Sequence, residues 1–193
     1  MKLSLKALLL SLVLACATTA HATEVAGVKL DDTIQAANTT LKLNGAGIRY
    51  KVFFKVYVAA LYIAENKTTV DGVLTVAGPK QVNLTMLREL SSDALGEAFM
   101  SGVKKNTDKA ERAKLTTQFI NFGQLFSSVP ELKKGDVISV VWLPNVGSMM
   151  LINGKKIGET FPDVAFFNAI LRIWIGENPV DTNLKNQLLG GGK

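Results

Sequence analysis

Histidine and cysteine are nearly missing from this sequence: there is one of each, His21 and Cys16, and both fall within the first 22 residues. With that segment removed, the chain has no thiol nucleophile, no disulfide, no Ser-His-Asp triad, no Cys or His metal site and no imidazole base. Proton chemistry is left to Asp, Glu, Lys, Tyr and Arg, so most hydrolase and metalloenzyme mechanisms are excluded. No metal and no cofactor is expected. Long apolar runs are lacking too, because neither Ala7–Ala15 nor Val164–Ile175 has the length to span a bilayer. A strong charge of one sign is also absent. The formal charge falls from +6 to +4 over 171 residues (193 less 22) once Lys2 and Lys6 are gone. The lysines are scattered among acids, with no basic stripe interleaved with aromatics, so nucleic acid is not an expected partner.

The first 22 residues read as a signal peptide. Lys2 and Lys6 form a positive start, Ala7 to Ala15 is an apolar stretch broken by Ser11, and Ala20-His21-Ala22 is an A-x-A cleavage site. A mature chain from Thr23 to Lys193, periplasmic and without a transmembrane segment, is the expectation. The competing reading is a lipoprotein: Val13-Leu14-Ala15-Cys16 loosely resembles a lipobox, but Leu14 suits it poorly and the A-x-A site is better formed. Nearly half of the residues are hydrophobic, enough for one sizeable core. Neither a repeat nor a linker divides the chain, so one domain is expected.

The stretch Leu43 to Ile63, LNGAGIRYKVFFKVYVAALYI, is rich in the β-branched and aromatic residues of strands, yet holds Arg49 and Lys55 among apolar neighbours. From Ile48 the even positions are almost wholly apolar. The odd positions run Arg49, Lys51, Phe53, Lys55, Tyr57, Ala59, Leu61, Ile63, polar first and then apolar. One reading of the odd face is plain solvation. The other is a half-buried slot whose arginine fork receives an anionic or polar ligand head.

Around this stretch, Val25–Leu30 and Thr39–Leu43 read as strands separated by polar residues 31–38, and Val70–Val76 and Gln81–Leu87 as further strands. Asn44-Gly45-Ala46-Gly47 reads as a bulge or a close backbone approach, not a nucleotide loop, since no third glycine or helix follows. Ser91 or Ser92 caps a helix carrying Leu95, Phe99 and Val103. A second helix starts near Thr107 and puts Leu115, Phe119, Phe122 and Phe126 on one side, as core or as the wall of a fatty pocket. Val137–Leu143 and Ser148–Ile152 return to strand, and Asn153-Gly154 signals a type I′ hairpin. Pro162 fits a first helical position, Val164–Ile175 a buried helix, and Val180–Leu189 a last helix. Together these argue for an α+β fold, a mainly antiparallel sheet with helices on one face.

Five blocks in order, LNGAGIR (43–49), KVYVAALYI (55–63), LRELS (87–91), NGKKIG (153–158) and ILRIWIGENPVDTNLK (170–185), resemble the chalcone isomerase-like superfamily in its bacterial exported branch. The resemblance implies an open-faced β-sandwich, a large antiparallel sheet covered by helices with a ligand cleft between them. It implies one of two activities: cyclisation of chalcones, as in plant enzymes, or binding of fatty acids without catalysis. In both groups the arginine matching Arg49 faces the cleft. Where the plant enzyme has a threonine this chain has Tyr57, as in fatty-acid-binding relatives. The enzyme's tyrosine, lysine, asparagine and second threonine match Leu95, Met86, Gly102 and Ile173. A site that keeps the arginine and loses those polar groups suits an aliphatic acid better than an enolate, which needs several placed donors.

Arg49 and Tyr57 are therefore the candidate ligand-binding residues, and no catalytic residue is assigned. In one unbroken strand they would stand roughly 26 Å apart, so the resemblance requires a reversal near Val52-Phe53-Phe54, where no Gly or Pro announces one. Three functions follow. The first is an exported, non-catalytic binder of a fatty acid or similar apolar carboxylate. The second is an intramolecular lyase or isomerase acting on a chalcone-like or enone substrate. The third is a structural protein whose Arg49 pairs internally, with Glu89 or Glu97.

Overall fold

A computed structural model describes residues 22–129 and 131–191. The signal-peptide and lipoprotein readings, with Cys16 and His21, lie outside the described residues except for Ala22. The chain opens with a separate hairpin, β1 (Ala22–Val25) and β2 (Val28–Asp31). Seven strands then form one antiparallel sheet in chain order: β3 (Thr33–Ala36), β4 (Thr39–Lys51), β5 (Phe54–Ile63), β6 (Lys80–Met86), β7 (Val137–Leu143), β8 (Gly147–Ile152) and β9 (Lys155–Phe161). The helices are α1 (Val70–Thr75), α2 (Ser92–Asn106), α3 (Lys109–Ser127), α4 (Val164–Ile175) and α5 (Thr182–Leu188). Among the described residues no helix is long and apolar enough to cross a membrane.

Strand β5 explains the layering. Its run FKVYVAALYI is apolar at both parities, and from Val56 to Ile63 every residue is buried, so both faces of the strand must be covered. Its odd residues Tyr57, Ala59, Leu61 and Ile63 join a large core with α2, α3, α4 and α5. Its even residues Val58, Ala60 and Tyr62 join a smaller core with Leu30, Ala36 and Leu41, built from strands alone. Helix α4 sits centrally in the large core, with Phe166, Phe167, Ile170, Leu171, Ile173 and Trp174 all buried.

Local signals account for most boundaries. The Ser91 hydroxyl accepts from the Ala94 N–H to cap α2, and the Asp108 carboxylate accepts from the Glu111 N–H to cap α3. Asn153 and Gly154 both take positive φ, 50° and 79°, as a type I′ turn demands. Four expectations are corrected. Val25–Leu30 is two strands, parted by a tight turn at Ala26-Gly27 with φ of 51° and 80°. The polar separator contains β3, whose Thr33, Gln35 and Ala36 pair with β4. Val70–Val76 is helical rather than extended: Thr69 caps α1 by accepting from the Gly72 N–H, and Val73 is buried, so packing outweighs β-branched propensity. Pro162 precedes the cap Asp163 instead of opening α4.

The Asn44-Gly45-Ala46-Gly47 segment positions the last helix. The β4–β5 register shifts between Leu43 and Gly45, which marks a bulge. A Cβ at Gly45 would lie 2.0 Å from the Gln187 carbonyl oxygen, so only glycine there admits α5 this close, whereas one at Gly47 would displace the Gln187 side chain, whose Oε1 is 1.9 Å away. Buried Asn44 donates to the Leu188 carbonyl (2.7 Å) and the Lys67 carbonyl (2.9 Å) and accepts from the Lys67 N–H. These contacts hold α5 against β4.

Candidate ligand cavity

The reversal required between Arg49 and Tyr57 is present. Strands β4 and β5 join through the two residues Val52 and Phe53, and Arg49 stands directly opposite Tyr57 in the ladder. The register shifts again between Arg49 and Tyr50, leaving Val56 as the extra residue. Across the next ladder Tyr57 pairs with Met86, so Arg49, Tyr57 and Met86 form one row on three strands.

Arg49 and Tyr57 border a cavity of about 110 Å³ between the sheet and the helices. Arg49, Lys51 and Tyr57 supply its polar part. The sheet contributes Leu84, Val140 and Met150, while α2, α3 and α4 contribute Leu95 and Phe99, Phe122 and Phe126, and Ile173 and Trp174. Phe99 stacks on Phe122 with centroids 4.7 Å apart, and Phe126 packs on both. Phe119 lies on the same buried side of α3, packed on Phe166 in the core and outside the cavity lining.

Tyr57 is buried, and its hydroxyl accepts a 2.9 Å hydrogen bond from Trp174 Nε1. Burial pushes its pKa up to about 12, against the smaller opposing pulls of Trp174 and Arg49. The phenol therefore stays protonated at neutral pH. Among the described residues no hydrogen bond spends its proton. Arg49 has an internal partner, but neither Glu89 nor Glu97: its Nη1 lies 3.6 Å from Asp181 Oδ2, with the two side chains 21% and 13% exposed. Asp181 is already well served, because Oδ1 accepts from the Leu184 N–H and Oδ2 from the Tyr50 N–H. The long ion pair orients the guanidinium and leaves it further donors.

Asp181 and the Trp174 indole were not identified from the sequence as polar members of this site. The signal for Asp181 was an Asp in the N-cap position before Thr182, obscured by starting the helix at Val180. The indole bond carried no sequence signal.

The model of the family described as chalcone isomerase-like matches residues 22–190. The chain belongs to that family. Comparison with curated protein sequences finds no match. Among solved structures, a fatty-acid binding protein of Arabidopsis thaliana is similar, with a TM-score of 0.64 at 18% identity, covering 84% of this chain and 92% of that one. At that identity the likeness shows the chalcone isomerase-like fold. In the structure, Leu95 and Ile173 line the cavity, and Met86 is buried beside Tyr57. A Cβ at Gly102 would meet Ile173 Cγ2 at 2.8 Å, so this glycine lets α2 approach α4.

Proposed function

We propose that this protein is an exported, periplasmic, non-catalytic binder of a fatty acid or a similar apolar carboxylate. The observation that carries the reading is the pairing of Arg49 with a protonated Tyr57 at the edge of an otherwise apolar cavity. A carboxylate there receives a charge-assisted hydrogen bond from the guanidinium and a second from the phenol, worth about 1.5–3 kcal/mol for the charged one. Each buried methylene of its tail adds about 0.8 kcal/mol. The similarity to a fatty-acid binding protein supports this choice.

Cyclisation is the weaker reading. The flanking Leu95 and Ile173 add no donor for an enolate beside Arg49 and Tyr57, and Lys51, the other cation of the lining, is exposed. The cavity of about 110 Å³ is below the roughly 300–1,000 Å³ usual for ligand pockets, so a full acyl tail requires the lining side chains to move apart.

Mass spectrometry of the protein purified under native conditions tests the proposal. A co-purifying fatty acid that disappears with Arg49→Ala, and weakens with Tyr57→Phe, is the expected result. An empty wild-type protein that also ignores added fatty acids would refute it. Turnover of a chalcone above background would move the protein to the lyase class.

A further inference from the structure

The tip of the β4–β5 hairpin is built against ordinary practice. Val52, Phe53 and Phe54 are 77%, 90% and 62% exposed, three large apolar side chains in a row on an otherwise ordinary surface. Val52 also takes φ of +57°, a conformation costly for a β-branched residue and normally given to Gly, Asn or Asp in two-residue hairpins. A glycine there would relieve the strain, and polar neighbours would relieve the exposure. Strain kept together with exposed apolar surface points to a contact outside the chain.

The surroundings specify what the tip meets. Lys51 and Lys55 are exposed on either side of it, and exposed Arg88 lies over the Phe54 ring with Cζ 5.3 Å from the centroid. Glu89, next in the chain, offsets one of these charges. A two-residue turn is far smaller than the roughly 800 Å² per partner of a stable protein interface. Insertion into a bilayer needs only the depth of a side chain, with long cationic side chains reaching up to the headgroup phosphates.

We propose that the β4–β5 tip docks on a membrane carrying anionic lipids. Phe53, with Val52 and Phe54, enters the acyl boundary, while Lys51, Lys55 and Arg88 lie against the phosphates. Lys51 also borders the cavity, so docking brings its mouth to the lipid surface. That last consequence rests on the proposed function, whereas the docking does not.

Vesicle co-sedimentation of the purified protein tests this, using phosphatidylcholine with and without phosphatidylglycerol. Wild type is expected to bind the phosphatidylglycerol vesicles and to release them as salt rises. Phe53→Asp, at an exposed position and with an unchanged unfolding midpoint, should weaken binding by about tenfold or more. Lys51→Glu with Lys55→Glu should abolish the preference for phosphatidylglycerol. In Phe53→Trp, brominated acyl chains should quench the added indole beyond any quenching in the parent. The proposal is overturned by absent binding, by binding indifferent to Phe53→Asp, or by self-association that Phe53→Asp removes while vesicles stay unbound. Lipid content is read in parallel: wild type that fails at the vesicle surface with a loaded cavity sinks the docking alone, and wild type that docks but stays empty with added fatty acid sinks the proposed function alone.

Discussion

The two faces of strand β5 are packed to different ends. On the even side, Val58, Ala60 and Tyr62 close against Leu30, Ala36 and Leu41 in a small core made of strands. On the odd side, Tyr57, Ala59, Leu61 and Ile63 meet a thicker layer of helices, and beside Tyr57 that layer leaves a hollow. Both faces bury a tyrosine, but the environments differ. Tyr62 donates to the Asp31 carbonyl, so its proton is spent within the fold. Tyr57 accepts from Trp174 and keeps its proton. The same residue type on one strand is thus a structural bond on one side and an available donor on the other.

One substitution placed on each face tests the contrast most strongly. Leu41→Ala in the strand-built core should cost about 4 kcal/mol, because closely packed neighbours collapse poorly into the space left. Leu95→Ala, on a helix and beside the cavity, should cost about 2 kcal/mol and enlarge the hollow. Urea unfolding midpoints give both values, and equal losses would mean that the hollow is not open in solution.

Alkaline titration probes both tyrosines together. Burial raises Tyr57 and Tyr62 to about 12, above the ordinary value of about 10. The folded state therefore holds these protons longer than the unfolded chain. Their stabilisation is intact below pH 10 and is lost as pH rises toward 12, by about 2 kcal/mol for each tyrosine. Lys80, whose pKa burial lowers, contributes with the opposite sign at pH below its ordinary value, so single Tyr57→Phe and Tyr62→Phe variants are needed to isolate each share. Tyrosinate absorbance should rise for these residues only as the fold is lost.

The smallest effect sharpens the charge assignment. Asp181→Asn removes the negative group behind Arg49 and retains an oxygen to cap α5, so stability should change by less than about 1 kcal/mol. Affinity for an acyl carboxylate should rise roughly twofold to tenfold, while a neutral lipid should bind unchanged. Fluorescent-lipid displacement measures both, and tighter binding of the neutral lipid would argue against Arg49 as a carboxylate anchor.

Much of the fold was legible, for identifiable reasons. The α4 boundaries follow from a run that is apolar on nearly every side, the β8–β9 turn from Asn153-Gly154, and the bulge near Gly45 from the paired glycines Gly45 and Gly47. Helix α1 was not legible, since Val70, Val73 and Val76 favour extension and only Thr69 capping with burial of Val73 makes the segment helical. Nor was the reversal at Val52-Phe53, which uses residues that local turn rules avoid and came into view only through family resemblance.

The sequence by itself determined the antiparallel sheet with its buried helices, because the periodicity of apolar residues sets which faces must leave water. It also determined that Arg49 would be the unusual charge on that sheet. Only the tertiary structure decided what Arg49 faces. A β4–β5 register set by a strained turn brings Tyr57 opposite it, and a glycine-lined approach of α5 puts Asp181 behind it. Those distances depend on how remote segments pack, which no local pattern of residues encodes.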